Sequence, residues 1–159
     1  MERDIGKIIA ENKAIIAEFP FLKPTYAWSG EEIEDYDYTW TELDEAPKGW
    51  KDLQLRFFRE ITPILKKADY FDKYRIIQNK EKWGYWHLYI NGIPTEIREE
   101  YYEILSKYEK ESEHTCTSCG KEGKMTYCGW ISPFCKECWE NDTYSNVPYE
   151  KAIENNRGD

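Results

Sequence analysis

Five cysteines stand at positions 116, 119, 128, 135 and 138 of a 159-residue chain, confined to one short window near its C-terminal end. Cys116-Thr117-Ser118-Cys119 and Cys135-Lys136-Glu137-Cys138 are two C-x2-C pairs separated by 15 residues, the spacing of a four-cysteine zinc ribbon. Each pair bends so that two thiolates converge on one side of the backbone. Two pairs brought together place four sulfurs at about 2.3 Å from a tetrahedral Zn²⁺. Gly120 and Gly129 supply the permissive backbone that such a tight module needs. With Cys116, Cys119, Cys135 and Cys138 as ligands, no position is left for a metal-bound water, so the reading is one structural Zn²⁺ rather than a hydrolytic one. An iron–sulfur cluster or a redox pair uses the same residue types and stays as an alternative. Cys128 lies outside both pairs and reads as an ordinary thiol.

The remaining residues carry no recognisable catalytic motif. The chain has no G-x-S-x-G elbow, H-E-x-x-H pair or phosphate-binding G-x-x-x-x-G-K-[ST] loop. A zinc deaminase requires H-x-E upstream of P-C-x-x-C. Here His87 precedes Leu88-Tyr89, His114 precedes Thr115-Cys116, and Phe134 separates Pro133 from Cys135. Both histidines read as surface or hydrogen-bonded side chains, and two isolated histidines do not make a histidine-type nuclease. Glu34, Asp35 and Asp37 are close enough in sequence to raise a Mg²⁺ site, although a run of acids is more simply a solvated face.

The elements that must hold these residues follow from periodicity. Ile5, Ile8, Ile9, Ile15, Ile16 and Phe19 mark the stripe of a first core helix that stops before Pro20. Pro20, Pro24, Gly30 and Pro47 punctuate a long connector. Inside it, residues 31–45 carry Glu31, Glu32, Glu34, Asp35, Asp37, Glu42, Asp44 and Glu45 with no lysine or arginine. Tyr36, Tyr38 and Trp40 alternate with the acids, which predicts an extended segment with rings on one face. A second helix is expected from about Lys48 to Lys67, bent or interrupted at Pro63. Tyr74–Asn79 and Gly84–Ile90 read as an antiparallel hairpin around Lys80-Glu81-Lys82-Trp83. After Asn91-Gly92, a third helix starts at Pro94-Thr95, carries Ile97, Tyr101, Ile104, Leu105 and Tyr108 on one face and a Glu103–Lys107 pair, and fades through Glu109–Glu113. The fold expected is α+β: about three helices and one antiparallel hairpin in a body at 1–112, a zinc ribbon at 113–140, and a polar tail at 141–159.

Composition agrees with a folded protein of unusual core. Ile, Leu, Val and Phe are scarce, but 7 Trp, 13 Tyr and 6 Phe can each remove about 150–250 Å² from water. With 31 acids against 22 bases and a net charge of −9, the chain as a whole repels nucleic acid and attracts basic surfaces, so direct nucleic-acid binding is disfavoured. A local patch is the exception to weigh: Lys66, Lys67, Lys73, Arg75, Lys80 and Lys82 interleave with Tyr70, Tyr74 and Trp83. No apolar run approaches the ~18 residues of a membrane span and no secretory leader is evident, so the expectation is a cytoplasmic protein.

Several short motifs occur in one order: Phe19-Pro20-Phe21-Leu22, Tyr36-Asp37-Tyr38-Thr39-Trp40-Thr41-Glu42-Leu43-Asp44, Pro47-Lys48-Gly49-Trp50, Asp72-Lys73-Tyr74-Arg75-Ile76, Lys80-Glu81-Lys82-Trp83-Gly84, and the cysteine pairs with Gly129-Trp130-Ile131. Over residues 13–140 this resembles a family of small phage and prophage proteins of Gram-positive bacteria that end in a zinc ribbon. The resemblance implies the end pairs, Cys116, Cys119, Cys135 and Cys138, as ligands. It also implies an accessory protein made during infection, of the kind that includes anti-CRISPR inhibitors of Cas9. A carboxylate-rich surface suits that role, because Cas9-type effectors hold nucleic acid in positively charged channels. The function expected is therefore a non-enzymatic inhibitor that docks its acidic segment on a basic, nucleic-acid-handling host protein. A nucleic-acid-binding regulator and a carboxylate-dependent nuclease are the alternatives.

Overall fold

The structure, a computed structural model, describes residues 4–143 and 145–155. Helix α1 (Ile5–Glu18) starts on Asp4, whose carboxylate accepts from the Lys7 N–H at 3.1 Å and satisfies one of the donors a helix start leaves over. It stops where Pro20 forbids continuation. The isoleucine stripe does not make α1 a core helix. Ile8, Ile9, Ile15 and Ile16 are half-buried and Ile5 is exposed. The buried residue of α1 is Asn12, whose side-chain amide donates to the Tyr38 carbonyl at 2.8 Å.

The connector holds 3-10 turns at Pro20–Leu22 and Glu42–Glu45 and one bridge between Thr25 and Glu32. Its acidic part is not the extended strand that alternation predicts. Asp35 and Tyr38 have φ of 57° and 62°, left-handed values that fold the segment into turns. The alternation in burial survives: Tyr36, Tyr38 and Trp40 are half-buried while Asp35 and Asp37 are exposed. The Tyr36 and Tyr38 rings meet with centroids 4.8 Å apart.

Helix α2 (Lys51–Lys67) follows a 3-10 turn at Lys48–Trp50 and runs through Pro63 without interruption. Helix α3 (Thr95–Ser112) packs beside it with Ile97, Tyr101, Leu105 and Tyr108 inward, and stays helical through the charged stretch where fading is expected. Lys107 does not pair with Glu103. It reaches Glu60 of α2 at 2.7 Å, and the Tyr108 hydroxyl donates to the same carboxylate.

Strands β1 (Ile76–Lys82) and β2 (Tyr85–Ile90) pair antiparallel with Lys82 opposite Tyr85. Lys80, Glu81 and Lys82 thus belong to the strand, and the turn is only Trp83-Gly84. Both turn residues are left-handed, at φ 59° and 86°, as a two-residue hairpin turn requires. Tryptophan in place of the usual Asn or Gly costs about 1–2 kcal/mol there. An irregularity between Ile76 and Gln78 shifts the register. Ile76, Asn79, Trp86 and Leu88 therefore face inward, and Gln78, Lys80, Lys82, Tyr85, His87 and Tyr89 face outward.

Rings build the body's core. Phe57 meets Trp86 edge-on at 5.2 Å and Tyr101 at 5.9 Å, and the Tyr74 and Tyr101 hydroxyls share a 2.6 Å hydrogen bond. A polar hub lies among them. Asn79 donates to the Glu42 carbonyl at 2.8 Å and to Gln54 Oε1 at 2.7 Å, and accepts from Trp86 Nε1 at 2.5 Å. One side chain thereby ties the hairpin to α2 and to the acidic segment.

The chain then enters the cysteine-rich module: β3 (Lys124–Thr126) and β4 (Ser132–Phe134) as an antiparallel pair, and helix α4 (Lys136–Asp142). Past residue 140, where a polar tail is expected, helix α5 (Tyr149–Ala152) folds back onto the module. Tyr149 and Ala152 are buried against Trp139, the Tyr149 hydroxyl donates to the Phe134 carbonyl at 2.8 Å, and Tyr127 N–H donates to the Ala152 carbonyl. The fold is a mixed helix-and-sheet one as expected, but with five helices and two strand pairs among the described residues. The last four residues of the expected tail, 156–159, lie outside them. No helix among the described residues is long and apolar enough to cross a membrane.

Replacing Asn79 by Ala orphans the buried Trp86 N–H, the Gln54 amide oxygen and the Glu42 carbonyl. Urea titration should show a loss of about 3 kcal/mol with an unchanged slope. A loss within error of zero would show that water replaces the hub.

A candidate four-cysteine metal centre and the acidic segment

The first cysteine pair is shaped by backbone bonds. Cys116 N–H donates to the Lys121 carbonyl at 2.8 Å and Gly120 N–H donates to the Cys116 carbonyl at 3.0 Å, with Gly120 at φ 80°. Lys121 N–H points at Cys119 Sγ from 3.4 Å. The second pair opens α4: Cys135 is its N-cap, and its sulfur accepts from Cys138 N–H at 3.4 Å. The β3–β4 pair closes the gap between them, and Thr117 N–H donates to the Pro133 carbonyl at 3.0 Å.

These elements bring Cys116, Cys119, Cys135 and Cys138 together, with all four sulfurs within 4.8 Å of one another. Cys119 Sγ and Cys135 Sγ are 3.7 Å apart. A disulfide needs about 2.05 Å, whereas the edge of a tetrahedron with about 2.3 Å metal–sulfur bonds is about 3.8 Å. The geometry is compatible with a metal site and too open for a disulfide. The four thiols are not electrically alike: burial, then the neighbouring sulfurs, pushes Cys138 well up. Burial also leads in raising Cys135. Burial opposes ionisation of Cys116 as well, but the backbone N–H groups of Cys119, Cys135 and Ser118 outweigh it and hold that thiol down. A metal ion at the centre would accept all four as thiolates. Cys128 is exposed and outside the cluster, as expected.

The centre is joined to the body at closest range through glycine. A Cβ on Gly49 would lie 2.1 Å from the Cys116 carbonyl oxygen, and one on Gly120 would lie 2.7 Å from the Gly49 carbonyl oxygen. Gly49 N–H donates to the Thr117 carbonyl at 2.9 Å, and the buried Trp50 donates through Nε1 to the Thr115 carbonyl at 2.8 Å. The sequence singled out Gly120 and Gly129. Gly49 stands there only within the Pro47-Lys48-Gly49-Trp50 motif, and its contact with Cys116 has no signal in the sequence.

The eight carboxylates of the acidic segment are not equivalent. Glu31, Glu34, Asp35 and Glu45 are exposed. Glu32 faces Lys23 at 3.4 Å. Asp37 accepts from the Thr39 N–H and hydroxyl, which hold its carboxyl below the usual range, and Asp44 accepts from Thr41 N–H at 2.8 Å in a capping box. Glu42 is drawn inward, and burial, with Glu45 adding repulsion, pushes its carboxyl up to about 7. Among the described residues the four cysteines are the one group placed to hold a metal, and Glu34, Asp35 and Asp37 do not form a second. The ring anchors are engaged locally: Tyr36 donates to the Trp40 carbonyl, and Lys13 sits 5.3 Å from the Tyr38 ring.

The basic stretch read from the sequence does not form one patch. Tyr74 is buried, Lys66 covers Phe71, and Arg75 donates to the Ala27 carbonyl. Lys80 and Lys82 alone share a face, the outer one of the hairpin.

Metal analysis of purified protein should give about one ion per chain for the wild type and for Cys128→Ser, and a small fraction of that for Cys119→Ser. An unchanged metal content in Cys119→Ser would remove the centre. Glu42 tests the electrostatics. Its folded value lies above the roughly 4.5 of an unfolded glutamate, so folding binds its proton more tightly. The stability it contributes is present below pH ~4.5 and is lost as pH rises through ~7. Glu42→Gln should raise the thermal midpoint at pH 8, with the gain shrinking toward pH 5.

No protein-family model, curated protein or solved structure matches this chain.

Proposed function

We propose that the chain is a non-catalytic binding protein in which one structural Zn²⁺ braces an anionic docking surface. Zinc fits the donor set: four sulfurs, tetrahedral spacing and no place for water. The partner is a basic, nucleic-acid-handling protein in a bacterial host cytoplasm, and the resemblance to small phage proteins makes a Cas9-type effector the first one to try. The observation that carries this reading is the exposed set Glu31, Glu34, Asp35 and Glu45 on a segment fastened from two sides, by Asn12 to Tyr38 and by Asn79 to Glu42. A fastened loop loses little freedom on binding, and a single-sign field speeds encounter with an opposite one.

The test is binding of the full chain to a purified Cas9-type effector, before and after DNA loading. Affinity should fall roughly tenfold between about 50 and about 300 mM salt, and should be lost when Glu31, Glu34, Asp35 and Glu45 are changed together to Lys. No binding, or affinity indifferent to both salt and the four changes, would overturn the reading.

A further inference from the structure

The tip of the hairpin and the cysteine module together enclose a recess of about 260 Å³ lined by Lys82, Trp83, Gly129, Trp130 and Ile131. The two modules are fixed against each other there. A Cβ on Gly84 would lie 2.3 Å from Met125 Sδ, and Trp130 donates through Nε1 to Glu81 Oε2 at 2.9 Å while Glu81 Oε1 accepts from Gly84 N–H. Glu81 thus orients both the turn and the Trp130 ring. Both tryptophans are nevertheless open to solvent, Trp83 at 64% and Trp130 at 72% exposure. Among the described residues neither stacks on another ring, whereas the rings of the body's core are engaged edge to face with one another.

Trp83 occupies a left-handed position that Asn or Gly fills at less cost. Strain kept at an exposed aromatic is a sign of use rather than of folding. Glu81 sets one carboxylate against the edge of the Trp130 ring, but the outer face of the hairpin that leads away from the recess is exceptional for a chain of net −9. The outward hairpin positions Gln78, Lys80, Lys82, Tyr85, His87 and Tyr89 include no carboxylate, and Lys82 belongs both to this face and to the recess. The volume is below the 300–1,000 Å³ of drug-sized pockets, which suits one planar group rather than a large ligand.

We infer that Trp83 and Trp130 form a stacking site for an unpaired base of single-stranded nucleic acid, with Lys82 and then Lys80 receiving its phosphates. Rings and cations in this combination bind single strands with little sequence preference. A strand fits better than a free nucleotide because the cations continue along the hairpin beyond the recess. The site rests on the folded cysteine module and not on the acidic segment, so it stands or falls independently of the proposed docking surface.

Anisotropy of a labelled single strand of about 12 nucleotides, with the full metal-loaded chain at about 50 mM salt, tests this. Saturable binding is expected, with a duplex of the same sequence at least tenfold weaker. Trp130→Ala should weaken binding about tenfold. Trp83→Asn should do the same while raising the thermal midpoint, since it relieves the turn; a purely structural Trp83 would not separate those two readouts. Absence of binding, duplex affinity equal to single-strand affinity, or full affinity in both variants would overturn the inference. Displacement by a mononucleotide at matching concentration would also do so, since it would assign the recess to free nucleotides.

Discussion

Four sulfur atoms within 4.8 Å of one another can all carry charge in that space only if a cation lies among them, because burial and the neighbouring sulfurs otherwise favour the protonated forms of Cys135 and Cys138. Much of the C-terminal architecture is arranged around those four sulfurs. The two cysteine turns have few apolar neighbours of their own, and the small cluster of Trp139, Tyr149 and Ala152 is far less than a domain core. Backbone hydrogen bonds and the β3–β4 pair shape residues 116–138 around the sulfur cluster. That shape in turn presents the Cys116 and Thr117 carbonyls to Gly49, and Met125 to Gly84, two approaches so close that a side chain at either glycine would collide. The cysteine module is thus wedged between the start of α2 and the tip of the hairpin, and braces both.

The body solves a different problem. With few aliphatic residues it packs rings, and rings of Trp and Tyr bring polar atoms inside that must be satisfied. The Asn79 hub and the Tyr74–Tyr101 hydroxyl pair are the response, and no buried side-chain polar atom among the described residues lacks a partner. The same hub reaches the backbone of Glu42, so a requirement of the core also fixes the acidic segment. Core chemistry and surface chemistry share one asparagine.

What could be read from the sequence follows from how local each signal is. The cysteine pairs encode their turns within four residues, and helices α2 and α3 carry long 3.6-residue patterns, so both were legible. The hairpin was legible but its turn was not: Lys80-Glu81-Lys82 looks like a charged loop, and only the left-handed Trp83-Gly84 pair shows that it is strand. The stripe of α1 misled because a pattern states which face is apolar and not how deeply it is covered. Helix α5 was hidden in polar composition, since its anchoring depends on Tyr149 and Ala152 meeting Trp139, a contact without local periodicity. The role of Gly49 within its motif needed the fold, because its constraint comes from Cys116, 67 positions away.

At physiological salt exposed charges are largely screened beyond about 8 Å, so a partner meets local patches rather than the net charge. Within that range, this molecule is segregated. Glu31, Glu34, Asp35 and Glu45 are held out on one segment, while the outer face of the hairpin presents lysines and rings without an acid. Burial, with Lys82 and Lys80 adding repulsion, pushes the His87 imidazole down, so that face keeps its charge on the two lysines. The acidic 3-10 turn is tied to the inward side of the same hairpin through Asn79, which places the two chemistries on opposite sides of one pair of strands. A sheet alternates its side chains by geometry, and here that alternation lets a strongly acidic protein keep one cationic, aromatic face.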